Sequence, residues 1–251
     1  MSKPVALLGG LHSARAVLWS RPDAVLSVLH LESRDDARLQ ALLERAVEHG
    51  IAVEPVRRVA LDRLAEQAGL DSHQGVMLRL RHQVGGPRRD GLLKHLQDAR
   101  GDALVLVLDE VQDPHNLGAC LRSAEAAGVS AVVTSRDNSV GLTATVRKVA
   151  AGATETVAWF QVVNLARCLD ELKAAGLWIH GAAGEGVATL YQTDLRGPTA
   201  LVMGAEGRGL RRLTRERCDS VFRIPMEGQV ESLNVSVATG VALFEAVRQR
   251  L

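Results

Sequence analysis

Three short stretches concentrate the polar side chains able to do chemistry. They are Asp113-Pro114-His115-Asn116-Leu117-Gly118-Ala119-Cys120-Leu121-Arg122, Met203-Gly204-Ala205-Glu206-Gly207 and Ser232-Leu233-Asn234-Val235-Ser236. Each sets a polar group or a glycine where an apolar run gives way to a loop or helix, the place where open α/β folds build binding sites. Taken alone, Asn116 reads either as a helix N-cap or as a substrate-orienting amide. Arg122 falls one turn beyond Gly118. Long helical side chains lean toward the helix N-terminus, so a glycine at 118 would leave the guanidinium a path back toward Asn116. An arginine beside a helix N-terminus makes a phosphate or anion site.

Residues 204–209 hold three glycines in a G-x-x-G-x-G order. That is not the dinucleotide-binding G-x-G-x-x-G, and no P-loop lysine follows. Glu206 sits inside the loop, where a carboxylate must be paired or exposed. Arg208, Arg211, Arg212, Arg215 and Arg217 oppose only Glu206 and Glu216 across residues 204–217. The run reads either as a solvated helical face or as a patch that follows RNA phosphates. Ser232, Asn234 and Ser236 set three small polar groups within five residues, just before an apolar helix. Singly they are caps. His115 reads as a loop bystander or a substrate contact, and neither His12 nor His73 has a metal-ligand pattern.

The elements that must position these groups follow from the apolar pattern. In the first part, strands are predicted at 25–31, 51–56 and 76–80. A helix at 36–49 carries Leu39, Leu42, Leu43 and Val47 on one face, and another is predicted at 61–69. This is a small α/β module over residues 1–80. Residues 81–100 hold Gly85, Gly86, Pro87, Arg88 and Arg89 and read as a linker, either a plain solvated hinge or one whose arginines also touch RNA. From 101 to 251 strands and helices alternate. Residues 104–108 form an unbroken apolar run, the mark of a strand buried on both faces of a parallel sheet. A helix at 117–127, strands at 129–134, 177–180, 200–203 and 221–225, and helices at 164–175 and 235–250 complete an α/β pattern with right-handed crossovers.

Composition narrows the function. Thirty basic and 29 acidic residues give a net charge of +1, so RNA binding would have to rest on local clusters. Aromatics make up 3% of the chain, which disfavours a reader that stacks bases on exposed rings. The three cysteines are far apart and lack zinc spacing, which fits a reduced cytoplasm without disulfides or metal. No signal peptide or membrane-spanning run is read.

As an ordered set, the three stretches resemble the motifs of the SpoU/TrmH-type RNA 2′-O-methyltransferases of the SPOUT class. The resemblance covers most of the chain. It is strongest to members acting on a guanosine of 23S rRNA in the peptidyl-transferase region, with a tRNA target as the alternative. Gly9-Gly10-Leu11-His12 and His73-Gln74-Gly75-Val76 are similar to signatures of the N-terminal module in that group. The resemblance implies a parallel sheet with a deep C-terminal trefoil knot and an N-terminal ribosomal-protein-like RNA-binding domain. It implies S-adenosylmethionine as cofactor, a homodimer and no metal. Asn116, Arg122, Glu206, Ser232 and Asn234 match the catalytic positions, and Gly204, Ile224 and Leu233 match main-chain cofactor contacts. In the implied reaction Arg122 activates a ribose 2′-hydroxyl or stabilises its alkoxide. Asn116, Ser232 and Asn234 orient it, and Glu206 tunes the field or braces Arg122 across the dimer. Arg88, Arg89, Arg208, Arg211 and Arg212 are the expected RNA-binding arginines. A non-catalytic RNA-binding protein that kept the fold would have lost Arg122 or Asn116, and both are present. A nucleotide-dependent oxidoreductase fails on the glycine spacing.

Overall fold

The computed structural model describes residues 5–70, 72–97, 102–205 and 207–251. The carboxylate expected inside the glycine loop, Glu206, falls outside them. The chain forms two compact units, Met1–Gly86 with Ala151–Thr156, and Pro87–Ala150 with Val157–Leu251.

The first unit runs β1 (Ala6–Gly9), α1 (Leu11–Ser20), β2 (Val25–Leu31), α2 (Ala37–Glu48), β3 (Ala52–Val56), α3 (Arg58–Gln67) and β4 (Val76–Leu80). Its sheet has the order β1-β4-β2-β3, with β2 and β3 parallel and the other pairs antiparallel. Strand side chains alternate between faces. Val28 and Leu78 join a core with Val17, Leu39 and Leu42, while Leu29 and Met77 join Leu61 and Ala65 on the other face. Asp36 caps α2 by accepting from the Arg38 and Leu39 N–H groups. The buried stripe of α2 is Leu39, Leu42 and Ala46; Val47, expected on it, is 66% exposed. The helix expected at 61–69 starts three residues earlier, at Arg58.

The second unit carries α4 (Leu92–Gln97), β5 (Leu104–Asp109), α5 (Pro114–Ala126), β6 (Ala131–Ser135), α6 (Ala144–Ala150), β7 (Trp159–Val162), α8 (Leu165–Ala174), β8 (Trp178–Ala182), β9 (Ala188–Thr189), β10 (Thr199–Gly204), α9 (Arg212–Glu216), β11 (Ser220–Arg223) and α10 (Val235–Arg250). The remaining helix, α7 (Ala153–Thr156), belongs to the first unit and packs on α1. The sheet is parallel throughout, in the order β7-β6-β5-β10-β8-β11-β9. Every residue of β5 is buried. Val105, Val107, Val133 and Val202 face Leu165, Leu169 and Leu172 of α8. On the other side α5 packs against α6 and α10, and Cys120 donates to Thr239 at 3.5 Å.

The stretch read as a linker is built into structure. Val84 belongs to the first core, and the Gly86 N–H donates to the Thr154 carbonyl. The Arg88 N–H donates to the Trp159 carbonyl, and Leu96 of α4 is buried in the second core. Strand β10 sits between β5 and β8 although it follows both in sequence. The direction in which successive strands are added therefore reverses beside β5, and such a switch point opens a crevice at the strands' carboxyl ends.

Candidate active site

A cavity of about 300 Å³ occupies that crevice, lined by Glu110, Val111, Gln112, Asp113, Asn116, Ala205, Arg208 and Val235. Five of these follow β5, two follow β10, and one opens α10. Helix α5 starts at Pro114, with Asp113 as its cap, accepting from the His115 N–H at 2.7 Å. Asn116 is therefore not the N-cap. It sits inside the first turn, buried, and its Oδ1 accepts from Nδ2 of Asn234 at 3.0 Å across 118 positions. Asn234 caps α10, with Oδ1 accepting from the Ser236 N–H and hydroxyl at 2.9 and 2.6 Å. These bonds set which end of each amide faces which partner. Two of the five expected catalytic residues thus meet, and Val235 and Asn116 share the cavity wall.

The other expected residues are placed less centrally. Arg122 is on the exposed side of α5, and among the described residues it has no hydrogen-bond or ion-pair partner. Gly118 does not leave it a path. A Cβ at 118 would stand 2.7 Å from Cβ of Val149, so the glycine exists to let α6 approach α5. Ser232 is exposed, and Ile224 and Leu233 are half-buried; none of the three lines the cavity. Gly204 ends β10 opposite Asp109, and a Cβ there would meet the Gly209 carbonyl carbon at 2.2 Å and the Leu210 nitrogen at 2.5 Å. Backbone passes directly over backbone, which only glycine permits.

The arginine run is largely neutralised by acids that are remote in sequence. Nε of Arg211 donates to buried Asp109 at 2.7 Å, its N–H donates to the same carboxylate at 3.1 Å, and its Nη1 meets Glu110 at 3.0 Å. Arg217 pairs with Asp170, Arg215 with Glu185 and Arg212 with Glu216. Arg208 lines the cavity mouth. Arg88 is exposed with its guanidinium 5.6 Å from the Phe160 ring centre, and Arg89 is exposed. Asp109 and Glu110, at the end of β5, are the acidic residues beside the cavity that sequence reasoning did not single out. Their signal was present: two carboxylates closing a wholly apolar strand of a parallel sheet.

The thiols are poor nucleophile candidates. Burial pushes Cys168 up to about 12 and Cys218 up to about 11, so neither is a thiolate near neutrality. Among the described residues no group of His, Cys, Asp and Glu is arranged to hold a metal ion, and no helix is long and apolar enough to cross a membrane.

The sequence model of the SpoU rRNA Methylase family matches residues 103–244, spanning β5 to α10 and all the cavity residues. The chain belongs to the SpoU rRNA methylase family. A second model, described as RNA 2′-O ribose methyltransferase substrate binding, matches residues 7–83. Among SpoU relatives, the 23S rRNA (guanosine-2′-O-)-methyltransferase RlmB of Pasteurella multocida is 52% identical over 243 residues, covering 96% of this chain and 97% of that protein. RlmB of Shewanella oneidensis is 49% identical over 244 residues, covering 97% of each. A crystal structure of an RNA 2′-O ribose methyltransferase aligns with a TM-score of 0.72 at 27% identity, over 97% of this chain and 88% of that one. The SpoU methyltransferase AviRb from Streptomyces viridochromogenes, solved with AdoMet, shares the fold at a TM-score of 0.73 and 23% identity, over 97% of this chain and 90% of that one.

Proposed function

We propose that this chain methylates the ribose 2′-hydroxyl of a guanosine in 23S rRNA, using S-adenosylmethionine. One observation carries the reading. The SpoU motif residues Asn116 and Asn234 are joined on the wall of a cavity at the switch point of the sheet, in a chain about half identical to RlmB proteins along its whole length.

The cavity fits the cofactor. Val111, Ala205 and Val235 offer apolar wall, while Glu110 and Asp113 bring carboxylates suited to ribose hydroxyls or a sulfonium charge. The family resemblance adds main-chain groups of Gly204, Ile224 and Leu233 as cofactor contacts, and these lie outside the lining of this cavity. S-adenosylmethionine supplies an electrophilic methyl group. The chain's own work is to present the nucleophile. A 2′-hydroxyl is weak and needs its developing negative charge stabilised. Arg122, an exposed guanidinium with no ion-pair or hydrogen-bond partner among the described residues, is assigned that role. A guanidinium carries its charge throughout the working range of proteins, so the side chain serves as a fixed positive charge and not as a base. Asn116, Asn234 and Ser232 orient the hydroxyl, and Glu206 adjusts the field around them.

Residues 1–80 are assigned to RNA capture, 81–100 to connecting the two parts and 101–251 to methyl transfer. Arg88, Arg89, Arg208 and Arg212 follow phosphates; Arg211 is withdrawn from that set because Asp109 and Glu110 hold it. The C-terminal trefoil knot is taken from membership of the family. The exposed apolar pair Val237 and Phe244 on α10 suits burial by a second copy, giving a homodimer in the cytoplasm. A tRNA target is the second reading, favoured by likeness to a TrmH/SpoU tRNA modifying enzyme of A. aeolicus at 32% identity over 63% of this chain. The test is to offer methyl-labelled cofactor with 23S rRNA or tRNA and map the product by mass spectrometry. 2′-O-methylguanosine at one 23S position is the expected result. Label on tRNA alone, or on a base, refutes the proposal.

A further inference from the structure

Three loops leave the carboxyl edge of the second unit's sheet close to the cavity, after β5, β6 and β10. One side chain ties them together. Arg211 holds both oxygens of Asp109, whose carboxylate is fully buried, through its own N–H and Nε. Its Nη1 reaches Glu110, and Glu110 also accepts from Nδ2 of Asn138 in the loop after β6, at 3.1 Å. Glu110 and Asn138 both have left-handed backbone, at φ of 60° and 59°. Such conformations persist in non-glycine residues where surrounding bonds over-determine them. Arg211 does not line the cavity, but Glu110 does, and so do Ala205 and Arg208 on its own loop. The same loop is pressed against Gly204 at residues 209 and 210.

We propose that Arg211 is a positioning residue for the cofactor pocket. It sets the spacing between the pocket's two walls, residues 110–116 on one side and Ala205 with Arg208 on the other, and takes no part in RNA binding. The inference rests on the methyltransferase reading above and deepens it. It also reverses what the arginine run suggests from sequence, where Arg211 looks like its neighbour Arg212. Arg212 is 81% exposed and, among the described residues, paired only with Glu216 one turn away. Arg211 is paired with a carboxylate 102 positions distant. A guanidinium is needed because Nε and Nη1 must fan out from one group toward two carboxylates, alongside the backbone N–H on Asp109, and an ammonium on a flexible stem cannot reproduce that fork.

The experiment uses the full chain and S-adenosylhomocysteine as the calorimetric probe, with rRNA-fragment binding measured over a range of salt. Small misplacements by a remote residue cost on the order of a hundredfold, so Arg211→Ala is expected to weaken probe binding by about that factor. Arg211→Lys is expected to fall between, at about tenfold, because the charge survives and the fork does not. In steady state the KM for S-adenosylmethionine rises in both, while the KM for RNA and its salt slope stay at wild-type values. A variant that is merely less stable would keep the wild-type Kd in its folded fraction. If Arg211→Ala does not fold, Arg211→Lys decides. Wild-type probe affinity together with an RNA salt slope flattened by about one unit would overturn the proposal and make Arg211 a phosphate contact. A wild-type protein that binds no probe would instead overturn the methyltransferase reading, before any variant is made.

Discussion

The polar groove of the first unit and the cavity of the second are both lined by charged and amide side chains, but they are held together differently. The groove, about 670 Å³, is bounded by Arg34, Asp36, Arg58, Asp62, His73 and Gln74, among others. Its bonds span 2 to 40 positions, the longest from Arg34 to the Gln74 carbonyl. Arg34 meets Asp36, Asp62 meets His73 at 2.9 Å, and the Gly75 N–H donates to Nδ1 of His73 at 3.0 Å. At the cavity the decisive bonds span 102 and 118 positions. A groove whose bonds all close within one short stretch of chain forms as soon as that stretch has folded. A cavity assembled from remote segments exists only when β5, β10 and α10 are all in place. The first design suits capture of a large, variable surface; the second suits chemistry that tolerates little displacement.

The most severe challenge to this contrast is Arg122→Ala. The side chain is exposed, so folding should be unchanged, and loss of one preorganised charge should slow methyl transfer on the order of a hundredfold to a thousandfold. Near-wild-type turnover in the purified variant would remove Arg122 from the mechanism. Next comes the Asn116–Asn234 pair. Asn234→Ala should destabilise by about 1–3 kcal/mol, because buried Asn116 loses a donor, and Asn116→Ala by less through this bond, because water reaches exposed Asn234. In a double-mutant cycle the two should couple; additive losses would mean that the bond between remote segments does not hold the wall.

How much of this was visible beforehand depended on the distance between cause and effect along the chain. Strand β5 was legible because five consecutive apolar residues can only be buried on both faces. The start of α2 was legible because Asp36 caps its own helix. The stripe of α2 was misread by one position, as Ala46 fills the site assigned to Val47 and a small residue carries little pattern. Helix α1 went unread for a related reason: Ser13 and Ala14 interrupt its apolar face, yet both are buried. At the site, residue types were readable and partners were not. Asn116 looks like a cap because Asn234 is so far downstream. The arginines of 208–217 look like a free patch because Asp109, Glu110, Asp170 and Glu185 are all outside the window. Gly118 looks like a gap until Val149 fills it.

Two smaller effects sharpen the contrast between the units. Arg58 lines the groove of the first unit and has no ion-pair partner among the described residues. Arg58→Glu should weaken RNA binding and flatten its salt slope by about one unit, while cofactor affinity stays at the wild-type value. A change in cofactor affinity would mean that the two regions do not divide the work. The smallest effect is expected from Arg212→Ala. An exposed ion pair one helical turn apart contributes about 0.3–0.5 kcal/mol, so thermal unfolding should barely move. A larger loss would show that this end of the run is as structural as Arg211.

The insertion of β10 between β5 and β8 also has a meaning for biosynthesis. Chains emerge from the ribosome N-terminus first, at roughly 5–20 residues per second. When β8 has been made, its future partner and that of β5 do not yet exist. Until then β5 waits with one edge unpaired and β8 with both, and such edges are templates for pairing with other chains. Only after Gly204 has emerged can the middle of the sheet be filled, and only after Leu210 can the following segment close over it. The part of the protein that holds the cavity is therefore the last to become safe from aggregation in the cell, and the one for which a nascent-chain chaperone would matter most.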